Sequence, residues 1–175
     1  MSIAISRVTA VLERAATFAN AVGTLVVLVL VAVVNVDVVA RGVFNSPFRG
    51  AVEVVQFSMV LIVFLQLPDV VRVDRLTRSD GFLAVVGNRW PQLQLLLNRI
   101  IDCVSAILMT LIAVALWPEF LEAWESQYYF GTPGIFTAPW WPLKLTILLS
   151  AGLCAALFGL RAVFGRRGRV VRDGS

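Results

Sequence analysis

Hydrophobic positions along this chain form four blocks, and polar positions gather at the ends of those blocks. A helix needs about 20 apolar residues to cross the roughly 30 Å of hydrocarbon in a bilayer. The first block covers residues 18–40 and contains an unbroken apolar run from Leu25 to Val34. It is too long for the hydrophobic region of a signal peptide, and no convincing small-x-small cleavage site ends it, so it reads as a retained helix. Its many valines do not make it a strand, because an isolated strand leaves backbone groups unsatisfied in lipid. Asn45-Ser46-Pro47 then marks a turn, and a second block follows over residues 51–71 with Pro68 late in it. Together they predict a helical hairpin.

Between Arg72 and Arg89 the chain turns polar and reads as a connecting loop. Pro91 suits the first turn of a new helix, and the third block covers residues 92–117 with its hydrophobic centre at Val104 to Leu116. Residues 118–141 are rich in aromatics and turn formers, including Trp124, Tyr128, Tyr129, Phe130 and Gly131-Thr132-Pro133-Gly134. Such rings, apolar with one polar edge, anchor at the membrane interface. The fourth block covers residues 142–164, and the basic tail 165–175 is predicted to be mobile. Ahead of the first block, Ile5, Val8, Leu12 and Ala16 recur at helical spacing while Arg7, Glu13 and Arg14 stay polar. This fits an amphipathic helix lying in the headgroup layer, and it equally fits an extension of the first spanning helix. The expected fold class is an all-α integral membrane protein: one domain, 1–175, with four transmembrane helices.

Composition strengthens that reading. The hydrophobic fraction is 59% and charged residues make up 15%, against roughly 45–50% and 25% in soluble domains. The net charge of +4 does not point to nucleic acid, because the basic residues sit at block ends instead of interleaving with exposed aromatics. Histidine is absent, which argues against bis-histidine haem, most zinc sites and a histidine general base. Cys103 and Cys154 stand far apart, without the Cys-x-x-Cys spacing of a redox or metal motif. No cofactor, metal or catalytic residue is expected, which leaves a four-helix quinone or haem oxidoreductase without ligands.

Charge placement orients the chain. Arg7 and Arg14, the arginines of the middle loop, and Arg161 with the tail arginines fall on one side; Arg41, Arg49 and Lys144 fall on the other. The positive-inside tendency puts both termini in the cytoplasm and the loop with Glu119, Glu122 and Glu125 outside. Asp37 and Arg41 have the i, i+4 spacing of a helical ion pair, and Glu53 can approach the same arginine across the hairpin. Arg99 with Asp102, and Asp69 with Arg72, are spaced for local pairing at i, i+3. No acidic residue lies at the centre of a span, where a proton-coupled pump would place one.

The order of these features resembles a known family. Arg41-Gly42-Val43-Phe44-Asn45-Ser46-Pro47 followed by Glu53, then Arg78-Ser79-Asp80, then Thr132-Pro133 and Pro139-Trp140-Trp141-Pro142, is similar to the DctQ-like small permease, or Q subunit, of TRAP transporters (tripartite ATP-independent periplasmic transporters). The resemblance covers most of the chain. Members often have a histidine just before the arginine-x-aspartate stretch, where this chain has Leu76 and Thr77. The resemblance implies a bacterial inner-membrane protein that docks beside a much larger M subunit, which holds the substrate and sodium sites. It also implies a periplasmic substrate-binding protein that delivers an organic acid. Asp37, Arg41, Glu53, Arg78, Asp80, Trp140 and Pro142 are then candidates for fold-stabilising or partner-contact roles, not for catalysis. An autonomous small oligomeric transporter, or a membrane scaffold unrelated to transport, are the competing readings.

Overall fold

The computed structural model describes residues 2–45, 50–73, 91–126, 129–131 and 137–164. Arg78, Asp80, Tyr128, Thr132, Pro133 and the tail 165–175 lie outside the described residues. Four long helices, α1 (Ser2–Phe44), α2 (Ala51–Val73), α3 (Pro91–Ser126) and α4 (Trp141–Phe164), are each long and apolar enough to cross a membrane. A two-residue antiparallel ribbon joins α3 to α4, with Tyr129 opposite Pro139 and Phe130 opposite Ala138.

The helix ends carry local signals. Asn45, just past α1, has φ of 50°, the left-handed conformation that closes helix C-termini and that Asn tolerates better than most residues. Gly50 has φ of 95° and its carbonyl accepts the N–H of Val54 at 3.0 Å, so it caps the start of α2. The carbonyl of Trp140 accepts the N–H of Lys144 at 3.1 Å and does the same for α4. Pro142 then occupies the first turn of α4, where a missing N–H costs nothing.

One open choice is settled and one boundary differs from the sequence expectation. The amphipathic segment before residue 18 is continuous with the first span, and Leu12 packs against the core, so no separate interfacial helix forms. The third helix does not end at Trp117 but passes through Pro118 to Ser126. Pro118 removes one backbone donor and is exposed. The helix resumes because Phe120, Ala123 and Trp124 pack beyond it, with Ala123 buried and the Trp124 ring against Phe120 and Trp141.

The helices form a row, α1 on α2, α2 on α4 and α4 on α3, with α1 touching α4 only lightly. α4 therefore holds more buried positions than any other helix among the described residues, including Ala151, Cys154, Leu157 and Phe158. Val71 of α2 joins Cys154, Leu157 and Phe158 in the core, against which Leu12, Leu67, Ala106 and Met109 pack. All four helices thus converge at the end nearest the termini. Where α1 crosses α2, a Cβ on Gly23 would stand 2.9 Å from Gln66 Cγ and 3.2 Å from Leu65 Cβ, so a hydrogen there permits the close approach.

Candidate functional site

Charged and strongly polar side chains form two layers. The termini-side layer contains Asn20 of α1, Asp69 and Arg72 of α2, Asp102 of α3 and Arg161 of α4; the hairpin-side layer contains Asp37 and Arg41, Glu53, Glu119 and Lys144. From Asn20 to Asp37, Glu53 to Asp69, Asp102 to Glu119 and Lys144 to Arg161, each helix rises about 25 Å at 1.5 Å per residue. No charged residue lies between those brackets in any helix. Lys and Arg side chains that snorkel outward make up the difference from a 30 Å hydrocarbon core.

The termini-side layer is cross-linked. Arg72 Nε donates to Asp69 Oδ1 at 2.6 Å, and Asn20 Nδ2 donates to Asp69 Oδ2 at 3.0 Å, so one carboxylate joins α1 to α2. Arg161 reaches across from α4 and donates to the carbonyls of Val71 at 2.6 Å and Arg72 at 3.1 Å. Those carbonyls belong to the last turn of α2, which has no intrahelical donors for them, and a cation there also meets the negative end of the helix dipole. Asp102 is 1% exposed, whereas Arg99 is exposed. The Arg99 with Asp102 pair expected from spacing is not among the ion pairs of the described residues.

On the hairpin side, Arg41 Nη2 lies 2.8 Å from Asp37 Oδ2. Asp37 is 8% exposed, while the Arg41 side chain is 58% exposed. Among the described residues Arg41 bonds within α1 and not across the hairpin to Glu53. Glu53 stands half-buried in the first turn of α2, where the helix dipole favours its charge. Lys144 Nζ lies 3.3 Å from Glu119 Oε2 and donates to the Glu119 carbonyl at 3.1 Å, tying α4 to α3. Above that bridge the Trp124 and Trp141 rings meet edge to face, centroids 5.2 Å apart. Trp140 and Pro142 are half-buried at the start of α4, where they fix the entry of the helix.

Sequence spacing found the Asp37 with Arg41 and Asp69 with Arg72 pairs. It missed Asn20, Arg161 and the Lys144 with Glu119 bridge, whose partners are distant in the chain. Arg161 carried one usable signal, a lone cation at the end of an apolar helix, which topology counting absorbed.

Several polar residues inside the slab bond back to their own helix, whereas Ser150 Oγ of α4 is buried without a hydrogen-bond partner among the described residues. Thr24 donates to the Asn20 carbonyl, Asn35 Nδ2 to Val31, Thr110 to Ala106 and Thr146 to Pro142, the back-bonding that lets hydroxyls and amides sit in a helix without water. Between α3 and α4 an apolar groove of about 510 Å³ runs past Thr110, Trp117, Leu148 and Gly152. Among the described residues no group of three or more His, Cys, Asp or Glu could hold a metal ion.

Four helices long and apolar enough to cross a membrane, with no charged residue between their polar layers, define a multi-pass membrane protein. Residues 30–168 match the family described as "Tripartite ATP-independent periplasmic transporters, DctQ component". The chain belongs to that family and is the small membrane subunit of a TRAP transporter, a transport protein and not an enzyme. Family membership alone implies a large membrane partner and a periplasmic binding protein. No curated protein and no solved structure matches the chain.

Proposed function

We propose that this chain, as a single membrane domain, braces the large M subunit during sodium-coupled, binding-protein-dependent uptake of an organic acid, a carboxylate. The observation that carries this reading is the empty slab: every helix is free of charge between its two polar layers, while transporters that coordinate ions place polar groups or broken helices at the midplane. The layers bond among themselves, through Asp69 to Asn20 and Arg72, Arg161 to the end of α2, and Lys144 to Glu119. Such internal satisfaction stiffens the row and leaves its apolar faces for lipid and partner.

Asp37, Arg41, Glu53, Trp140 and Pro142 act as shape-holding or contact residues in this reading, and Arg78 and Asp80 belong to the same set by resemblance. In this reading both termini lie in the cytoplasm of a bacterial inner membrane, an orientation supported by the basic residues at the termini. The test is reconstitution of the large subunit with its binding protein in liposomes, with and without this chain. Carboxylate uptake that follows an inward sodium gradient and falls at least tenfold without the chain is the expected result. Uptake by this chain alone would overturn it in favour of an autonomous transporter.

A further inference from the structure

The groove between α3 and α4 has a depth and a mouth that suit a particular occupant. Thr110, Val114 and Trp117 form its α3 wall, and Leu148, Gly152 and Ala155 its α4 wall. Seven residues of helix rise about 10 Å. Because the two helices run antiparallel, Trp117 and Leu148 stand at the hairpin-side end of the groove, and Thr110 and Ala155 at its inner end. Beyond that inner end Ala106 and Met109 of α3 pack against the core of Cys154, Leu157 and Phe158, which brings the helices together. The groove therefore starts at the hairpin-side polar layer and stops near the middle of the slab. That is the reach of one leaflet, about 15 Å of a roughly 30 Å hydrocarbon core.

Its width points the same way. A volume of about 510 Å³ over that length makes a slot about 8 Å across. This is narrower than a helix with its side chains, about 10–12 Å, and roomy enough for an acyl chain. The lining is apolar apart from Thr110, whose hydroxyl is already bonded to the Ala106 carbonyl. Gly152 deepens the slot, since a Cβ there would meet nothing within 4 Å and the space over the glycine is open to an outside group.

The mouth carries the polar groups. Lys144 lies one turn before Leu148 on the same face of α4, at the hairpin-side end of the groove. Its ammonium has three N–H donors. Glu119 takes two of them, through its carboxylate at 3.3 Å and its carbonyl at 3.1 Å, and the Lys144 side chain stays 23% exposed. On the α3 wall Trp117 is 55% exposed and brings an indole N–H. Two donors thus flank the entrance of an apolar slot, at the interfacial depth where the phosphate and ester oxygens of a phospholipid lie. We propose that the groove binds one phospholipid of the hairpin-side leaflet, with an acyl chain laid along Gly152 and the phosphate against Lys144 and Trp117. A transmembrane helix is wider than the slot and would need a surface that continues through the second leaflet.

The test takes the full chain, alone and co-expressed with the large subunit, from vesicles of phosphatidylethanolamine and phosphatidylglycerol into mild detergent. Retained phospholipid is counted by native mass spectrometry, and one tightly held molecule per chain is expected. Gly152→Leu fills the slot and should lower retention about fivefold or more. Gly159→Leu, equally open to an added Cβ but beyond the inner end of the groove, should leave it unchanged. Lys144→Gln should lower retention about threefold to tenfold, the range for one hydrogen bond. As a second readout, a phospholipid with a photo-reactive group midway along its acyl chain should form adducts within residues 110–117 and 148–155. No retained phospholipid on the unaltered chain, equal retention by all variants, or adducts spread evenly over the four helices overturns the proposal. So does loss of the large subunit, and not of phospholipid, from Gly152→Leu, a result that puts a protein helix in the groove.

Discussion

α1 and α3 occupy the two ends of the helix row, and both are longer than a bilayer requires, yet they are held and finished differently. α1 lies close against α2 through Gly23 and is pinned by Asn20 to Asp69. α3 is held at its middle by Ala106 and Met109 against the core and near its C-terminal end by Glu119 and Trp124 against Lys144 and Trp141, with the apolar groove between. Their outer faces diverge as well. Both expose bulky apolar side chains, Ile107, Leu108, Leu111 and Val114 on α3 and Leu25, Val29, Val36 and Val39 on α1, but α1 also exposes the amide of Asn35.

The contrast presupposes that both flanks belong to one body, and the substitution that tests this most severely is Arg161→Met. It removes two charged hydrogen bonds to the last turn of α2 and should cost about 3 kcal/mol, read as a lower midpoint in detergent-denaturant titration. Arg161→Lys should recover part of the loss. An unchanged midpoint would mean that the two halves of the row are joined by packing alone.

Next in size is Gly23→Leu, which drives a side chain into Gln66 and Leu65 and should cost about 2 kcal/mol. Gly159→Leu in α4, where an added Cβ meets nothing within 4 Å, should change stability by less than about 0.5 kcal/mol. Equal effects at the two glycines would erase the distinction between a close contact and an open one. The smallest expected change is Lys144→Met, about 0.5 kcal/mol, because its Glu119 partner is largely exposed. A double-mutant cycle with Glu119→Gln isolates that coupling, and a value near 2 kcal/mol would show α3 to be gripped as firmly as α1.

Hydropathy alone made the four spans legible, since lipid forces continuous apolar runs into helices. Pairings within one helix were legible too, because i, i+3 and i, i+4 neighbours share a face: Asp37 with Arg41 and Asp69 with Arg72 formed as spacing indicates. The same rule failed for Arg99 with Asp102. Spacing says which side chains can meet, while burial decides which way each turns, and Asp102 turns into the bundle. The aromatic and turn-forming residues after Trp117 predict an end to the third span there, but α3 continues through Pro118, because packing of Phe120, Ala123 and Trp124 beyond it offsets one missing bond. The bonds of Arg161 to residues nearly ninety positions earlier have no periodic signature.

The row order, finally, bears on how the molecule is made. Its last-synthesised helix, α4, stands between α2 and α3, so α3 enters the bilayer before the neighbour it packs on exists. The α1 and α2 hairpin can close as soon as both have left the ribosome, but the carbonyls at the end of α2 wait for Arg161, near the C-terminal end of α4. Assembly is therefore completed after translation of the last span, and loss of that span would strand α3 in the bilayer beside an unfinished hairpin.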